Sequence, residues 1–314
     1  MESGNGVAKG ISTGSYGFDR ALVIGGVPKG RIVEVYGPAS CGKTTLALHV
    51  VADVQKSGGS AAFIDAEHAL DLSYSGKLGV RIEELIVVKP ENGDVAFGLA
   101  LSLVETGLVD VVVIDSVAAL VPESELASQF GEDHFSAIEQ MMARGLRKLE
   151  MSAFRTGACV LFVNQVRRRS YETSGDPNTT SGGRPLRCYA SVRIELSNVD
   201  SITEMRRTIG NRVRMRVIKN KFASGFRSAV APLIHGEGFS KELELLEIAC
   251  AHKVVKPSQV GFSYRGEPIT RMDLKGDAEL VAEMMDEVRA SARVLRSKPV
   301  GRAVEIAESA VQTA

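Results

Sequence analysis

The chain has 314 residues, 44% of them hydrophobic and 24% charged, an ordinary globular composition with room for one large domain or one large and one small. Its 38 Lys and Arg balance 38 Asp and Glu, so any nucleic-acid footprint must be local rather than global. Four scattered cysteines without a C-x-x-C pair, five histidines that do not cluster and no apolar run of transmembrane length or secretory leader point to reduced thiols in a cytoplasmic protein with no zinc site and no membrane span.

The segment "RIVEVY" (31–36) reads as a buried strand running straight into "GPASCGKTT". A helix is predicted from Thr44 to Lys56, stopped by Gly58-Gly59. "AAFIDAE" (61–67) is a second buried strand. "VDVVVIDS" (109–116) is a third, apolar almost throughout, as suits a parallel strand covered on both faces. Residues 134–154 carry helical periodicity, and "ACVLFVNQ" (158–165) is another strand. This alternation predicts an α/β fold with a doubly wound, mostly parallel sheet, and the G-x-x-x-x-G-K-T loop after its first strand marks it as a P-loop ATPase core. The polar stretch 166–185 lacks periodicity and is too long for an ordinary connection, so it reads as a functional loop. Strand-like segments follow at 188–196 and 212–221. After Gly236 a helix (240–252), a hairpin (262–270) and a helix (277–294) predict a small C-terminal α/β domain. The expected limits are an N-terminal segment 1–10, the core 11–236, the small domain 237–297 and a tail 298–314.

Gly37 to Thr44 fits G-x-x-x-x-G-K-T, in which backbone N–H groups and a helix N-terminus cradle phosphates. The candidate nucleotide contacts are Gly37, Pro38, Ala39, Ser40, Cys41, Gly42, Lys43, Thr44 and Thr45. Lys43 is placed to reach the β- and γ-phosphates. Thr44 offers a hydroxyl to Mg²⁺, and Asp115, ending a strand, is the second Mg²⁺ anchor. Glu67, at the end of "FIDAE", is the candidate that activates water, with Asp65 as the alternative. Gln165 ends a strand directly before the long loop and is a candidate γ-phosphate sensor. Cys41 reads as a small residue that fits the loop. Arg167, Arg168 and Arg169, with Tyr171 nearby, suit a segment tracking a phosphate backbone; Arg212, Arg214, Arg216 and Lys219 share a strand face toward solvent, DNA or another subunit.

Taken together, "ISTGS", "GRIVEVYGP", the P-loop, "FIDAEHALD", "VVVIDSVAALVP", "FVNQVR", "TTSGG", "YASVR" and "IKNK" resemble the bacterial RecA recombinase family in order and spacing. The resemblance covers residues 11–236 closely and the small domain loosely; the order of motifs sets the chain apart from replicative helicases. It implies an ATPase that uses ATP and Mg²⁺, assembles as a filament on single-stranded DNA, and pairs it with homologous double-stranded DNA. It also implies a nucleoid-associated protein whose filament engages an SOS-type repressor. By the same resemblance Glu67 is the catalytic glutamate, and Asp71 and Tyr74 hold the adenine. Lys219 and Lys221 reach across the filament interface to the neighbour's ATP. Residues 123–136 and 166–182 match the DNA-facing loops. The expected DNA contacts are Phe135, Arg147, Arg167, Arg168, Arg169, Tyr171, Thr180, Gly182 and Gly183.

Three departures qualify that expectation. The chain as given starts just before "ISTGS", leaving the family's docking helix without a counterpart; a longer native start, weaker assembly or other contacts are the alternatives. Ser170 and Ser174 stand where the family places apolar wedges in the second loop, so binding is expected to lean more on charge. The tail lacks the acidic character seen in many members. A diverged paralogue acting as a regulatory or DNA-binding partner is the alternative reading.

Overall fold

The computed structural model describes residues 10–128, 135–168, 178–204, 206–223, 227–258 and 261–297. The chain divides into two compact units, Met1–Ser240 and Lys241–Ala314.

The first unit opens with β1 (Gly10–Ile11), α1 (Tyr16–Leu22) and β2 (Val27–Pro28), which pairs with β1. Strands and helices then alternate: β3 (Ile32–Gly37), α2 (Lys43–Lys56), β4 (Ala61–Asp65), α3 (Leu72–Lys77), β5 (Leu85–Val88), α4 (Gly93–Glu105) and β6 (Val111–Asp115). A short α5 (Glu123–Leu126), the long α6 (Phe135–Thr156) and β7 (Cys159–Arg168) follow. β8 (Asn178–Thr180) folds back on the end of β7 and leads into α7 (Gly183–Tyr189). β9 (Val192–Glu204), β10 (Arg207–Asn220), β11 (Ser228–Ile234) and β12 (Gly238–Phe239) complete the unit.

The central order β9-β3-β7-β6-β4-β5 is parallel throughout, and β10, β11 and β12 add antiparallel on the β9 side. Its inner strands are apolar on both faces because both faces are covered. Val33, Val113 and Leu161 share one core with Leu46, Val50 and Val54 of α2. Ile32, Ile114 and Phe162 share the other with Ala100 of α4 and Leu146 and Leu149 of α6. Each Val, Leu, Ile or Phe side chain so buried contributes about 1.5–3 kcal/mol. The second face changes character along β3: Ile32 is followed, two and four residues on, by Glu34 and Tyr36. An apolar core thus gives way to a polar stripe toward the carboxyl ends of the strands.

Parallel pairing puts those ends in a row. Gly37 lies in register with Gln165, and Asp65 with Asp115. Every strand-end residue singled out from the motifs therefore meets at one edge of the sheet, where open α/β sheets bind ligands.

Several elements differ from expectation. α1, β5, α4 and β11 were not foreseen, and residues 183–189 are helix, so the strand expected from 188 begins at Val192. The stretch 166–185 contains three pieces of regular structure: β7 runs on to Arg168, β8 pairs with it, and α7 starts at Gly183. No helix among the described residues is long and apolar enough to cross a membrane.

The second unit contains α8 (Lys241–Ala251), the sheet β13 (Val255–Ser258), β14 (Gly261–Tyr264) and β15 (Glu267–Ile269), then α9 (Arg271–Leu274) and α10 (Ala278–Ser297). Leu245, Leu246, Val255, Ile269, Met284 and Val288 are buried. The Tyr264 hydroxyl donates to Glu287 at 3.0 Å, and Arg265 pairs with Glu283 and Glu287 at 2.7 and 2.5 Å.

Candidate active site

The loop between β3 and α2 turns on Gly42, whose φ of 88° is a left-handed conformation that favours glycine. It delivers the chain into a 14-residue helix whose N-terminus has no side-chain cap and no acidic residue in its first turn. The free N–H groups and the positive end of the helix dipole form a ready anion site. The Lys43 ammonium folds back over the loop and donates to the Pro38 carbonyl at 2.7 Å. The Cys41 thiol is buried, and burial pushes its pKa up, so it packs as an inert small side chain.

Four other candidates are linked in hydrogen-bonded pairs, and Lys43 is close enough to one of them, Asp115, to lower its pKa. The Thr44 hydroxyl donates to Asp115 Oδ2 at 2.6 Å. Gln165 Nε2 donates to Glu67 Oε1 at 3.0 Å, and the Ser116 hydroxyl donates to the same oxygen. The Glu67 and Ala66 amides donate to the Asp115 carbonyl at 3.2 and 2.8 Å, which fixes the chain leaving β4 against the end of β6. The peptide between Asp115 and Ser116 is cis. Asp65, the alternative base, is committed elsewhere: its two oxygens accept from the amides of Ala69 and Leu70 at 3.0 and 3.2 Å and hold the turn after β4.

Asp115 is 7% exposed, and its pKa is pushed up from 3.8 to about 6. Burial is the main cause; the negative charges of Glu67 and Asp65 add to it, while the Thr44 hydroxyl and Lys43 oppose it. Glu67 and Asp65 on one side and Lys43 on the other leave negative charge in excess around Asp115. Hard oxygen donors in such a field fit Mg²⁺, which takes one or two protein ligands beside water and phosphate. Thr44 and Asp115 would hold it, and it would neutralise phosphate charge.

Asp71 caps α3, accepting from the Tyr74 amide at 2.9 Å, and the Tyr74 hydroxyl lies 3.1 Å from Thr45 Oγ1. The Tyr74 ring therefore reaches the first turn of α2, and Asp71 fixes the helix that carries it.

Lys219 and Lys221 are elsewhere. The Lys219 ammonium donates to the carbonyls of Arg187 and Cys188, at 2.8 and 2.9 Å, at the end of α7. Burial first, and then Lys221, lower its pKa. Lys221 faces Glu150 of α6 at 3.9 Å. The amide of Lys221 donates to Ser191 O and that of Ser191 to Ile32 O, so both lysines sit at the start of β3. The P-loop leaves the other end of that strand, roughly 16 Å away at about 3.3 Å per residue. A lysine side chain cannot span that distance, so neither lysine serves its own protomer's P-loop.

The candidate DNA contacts are dispersed. Arg167 and Arg168 belong to β7, in register with Thr179 and Asn178 of β8, and Arg147 is exposed on α6. Thr180 is buried. Gly182 has φ 84°, and a Cβ there would come within 2.8 Å of Val117 Cγ1. Gly183 has φ 69° beside Glu139. Phe135 begins α6, but its side chain, those of Arg167 and Arg168, and residues Arg169, Ser170, Tyr171 and Ser174 lie outside the described residues. Arg216 and Arg212 pair with Glu195 and Asp200 of β9 at 3.1 and 3.7 Å, while Val213 and Met215 between them are buried, so these arginines lie on the outer face of the sheet.

Ser116, Asn164, Glu34 and Arg193 were missed from sequence. Ser116 and Asn164, adjacent to the strand-end Asp115 and Gln165, carried a local signal.

The family model of the RecA N-terminal domain matches residues 2–240, well over half of the chain. The chain belongs to the RecA family. It is 44% identical over 297 residues to Protein RecA of Paramagnetospirillum magneticum, covering 93% of this chain and 83% of that protein. Protein RecA of Azospirillum lipoferum is 47% identical over 285 residues, 90% of this chain and 79% of its own length. Protein RecA of Gluconobacter oxydans is 45% identical over 291 residues, 91% and 84% respectively. The RecA-family fold thus accounts for the α/β core whose strand ends gather the site.

Proposed function

We propose that this RecA-family recombinase is an ATPase switched on by single-stranded DNA, and that it pairs the coated strand with homologous duplex. The observation that carries the reading is the meeting of Lys43, Thr44, Glu67, Asp115 and Gln165 at one sheet edge. Lys43 and the α2 N-terminus hold the phosphates; Glu67, oriented by Ser116 and Gln165, takes a proton from the attacking water; Gln165 senses the γ-phosphate. Glu67 is the only one of the two candidate carboxylates not tied to backbone amides. Asp71 and Tyr74 flank the base, and Lys219 and Lys221 complete the site of an adjoining protomer in a filament. Residues 11–240 form this working core, with β12 paired to β11 inside it, and the unit that begins at Lys241 is a small separate domain.

The β7–β8 hairpin, rising from Gln165 and carrying Arg167 and Arg168, and the Gly182-Gly183 turn below it form the DNA-facing side. Filament engagement of an SOS-type repressor, a cytoplasmic location and nucleoid association go with this reading. The regulatory-paralogue reading is not favoured, since identity of 44–47% extends over 90% or more of the chain. Strand exchange between circular single-stranded and homologous linear duplex DNA tests the proposal. Joint molecules are expected with ATP and Mg²⁺; their absence, alongside normal single-strand binding, would overturn it.

A further inference from the structure

Glu34 is wholly buried in the central strand, on a face whose neighbours Ile32, Val160 and Phe162 are apolar. A buried ion pair there is a poor source of stability, because well-packed apolar residues commonly do as well or better. Its partners explain what else it does. Asn164, equally buried, donates Nδ2 to Glu34 Oε1 and to the Ser181 carbonyl, both at 2.9 Å. Its Oδ1 accepts from the Gln165 amide at 2.8 Å. Arg193 Nε donates to the other oxygen of Glu34 at 2.5 Å, and its guanidinium lies over the Tyr36 ring at 4.8 Å. A carboxylate can only accept, so Glu34 dictates which end of the Asn164 amide faces it. With Arg193 holding Glu34, Asn164 cannot flip. Its oxygen must meet Gln165 and its nitrogen must meet Ser181.

We propose that Asn164, locked by Glu34 and Arg193, is the positioning residue that joins Gln165 to Ser181 and so makes the DNA-facing loop respond to nucleotide. The inference rests on the reading of Gln165 as γ-phosphate sensor. Ser181 lies between β8 and α7, at the foot of the β7–β8 hairpin. A shift of Gln165 on phosphate binding pulls its own amide, and through the two hydrogen bonds of Asn164 it pulls the Ser181 carbonyl. The hydroxyls of Thr180 and Ser181 are buried beside this joint without a hydrogen-bond partner among the described residues, so the loop end has spare polar groups for a second arrangement.

The test uses the full chain and a fluorescently labelled oligothymidine, with binding followed by anisotropy at fixed salt. The readout is the ratio of DNA dissociation constants with ADP and with a non-hydrolysable ATP analogue. Asn164→Ala is expected to reduce this ratio at least fivefold, leaving DNA affinity with ADP within about twofold, and the affinity of the protein for the nucleotide analogue itself within about threefold, of parent. An Asn164→Ala protein with the parental ratio overturns the proposal. Glu34→Gln keeps the shape but can present an amide of either polarity, which releases the lock; its ratio is expected to fall two- to threefold. Should Asn164→Ala not fold, an unchanged ratio in Glu34→Gln overturns the proposal instead. Gln165→Ala separates the two layers. If it loses the nucleotide response while Asn164→Ala keeps it, the sensor stands and the tie through Asn164 is wrong. If Gln165→Ala keeps the response, the sensor reading fails and the tie fails with it.

Discussion

Replacing Asp115 by Asn should make the nucleotide-free protein more stable at neutral pH while abolishing its turnover. The Asp115 carboxyl is buried against Glu67 and Asp65, and its pKa stands at about 6 against an ordinary 3.8. The folded state therefore keeps a proton that the unfolded chain releases at lower pH. Stability from this group is fully present below about pH 4, falls as pH rises from about 4 to about 6, and stays lost at pH 7. Two pK units at about 1.4 kcal/mol each set a ceiling of about 3 kcal/mol. Asn cannot ionise, and its oxygen can still accept from Thr44, though its NH₂ needs a new partner, so about 1–2 kcal/mol is the realistic gain. Urea unfolding of parent and Asp115→Asn at pH 5 and pH 7, without nucleotide or Mg²⁺, measures it. The variant should be the more stable at pH 7, and its advantage should shrink by about half at pH 5, where the parent's folded-state carboxyl is mostly protonated. A variant less stable than parent at pH 7, or a gap unchanged between the two pH values, would refute the electrostatic reading of this pocket.

Three further outcomes are expected. Glu67→Gln should bind ATP and DNA within about threefold of parent while turnover falls by about 10²–10⁴, the usual worth of a general base; undiminished hydrolysis would remove Glu67 from the chemistry. Gly182→Ala should cost about 2 kcal/mol, since the new methyl meets Val117 and Met142 from a left-handed backbone, and an unchanged unfolding midpoint would contradict that packing. Because Lys219 and Lys221 cannot reach their own P-loop, an equimolar mixture of Lys43→Ala and Lys219→Ala/Lys221→Ala proteins should hydrolyse ATP on DNA faster than the two measured separately and summed. Simple additivity would mean that the lysines do not serve a neighbour.

The candidate nucleotide site was the most legible part of the chain because its residues are local or end apolar strands. "GPASCGKTT" names its own chemistry, and Asp115 and Gln165 each close a run of buried residues. Glu67 was already preferred to Asp65 from the sequence and the family resemblance; the structure adds that both Asp65 oxygens are committed to the amides of Ala69 and Leu70. α7 was hidden because "SGGRP" reads as loop: Gly182 precedes the helix in a left-handed conformation, and Pro185 falls in the first turn, where its missing N–H costs nothing. α4 carried a helix signal in Asn92, which caps it through the Val95 amide, but its apolar run gives little amphipathic contrast. Glu34 was illegible for a different reason. Its partners Asn164 and Arg193 are 130 and 159 residues away, and a single acidic residue inside "RIVEVY" says nothing about them.

The most direct test of the functional reading is steady-state ATP hydrolysis by the full chain with Mg²⁺, measured with and without single-stranded DNA. The expected result is a slow basal rate raised at least tenfold by DNA, with stimulation that grows with protein concentration as protomers complete one another's sites. A rate that is the same with and without DNA at every protein concentration would contradict it.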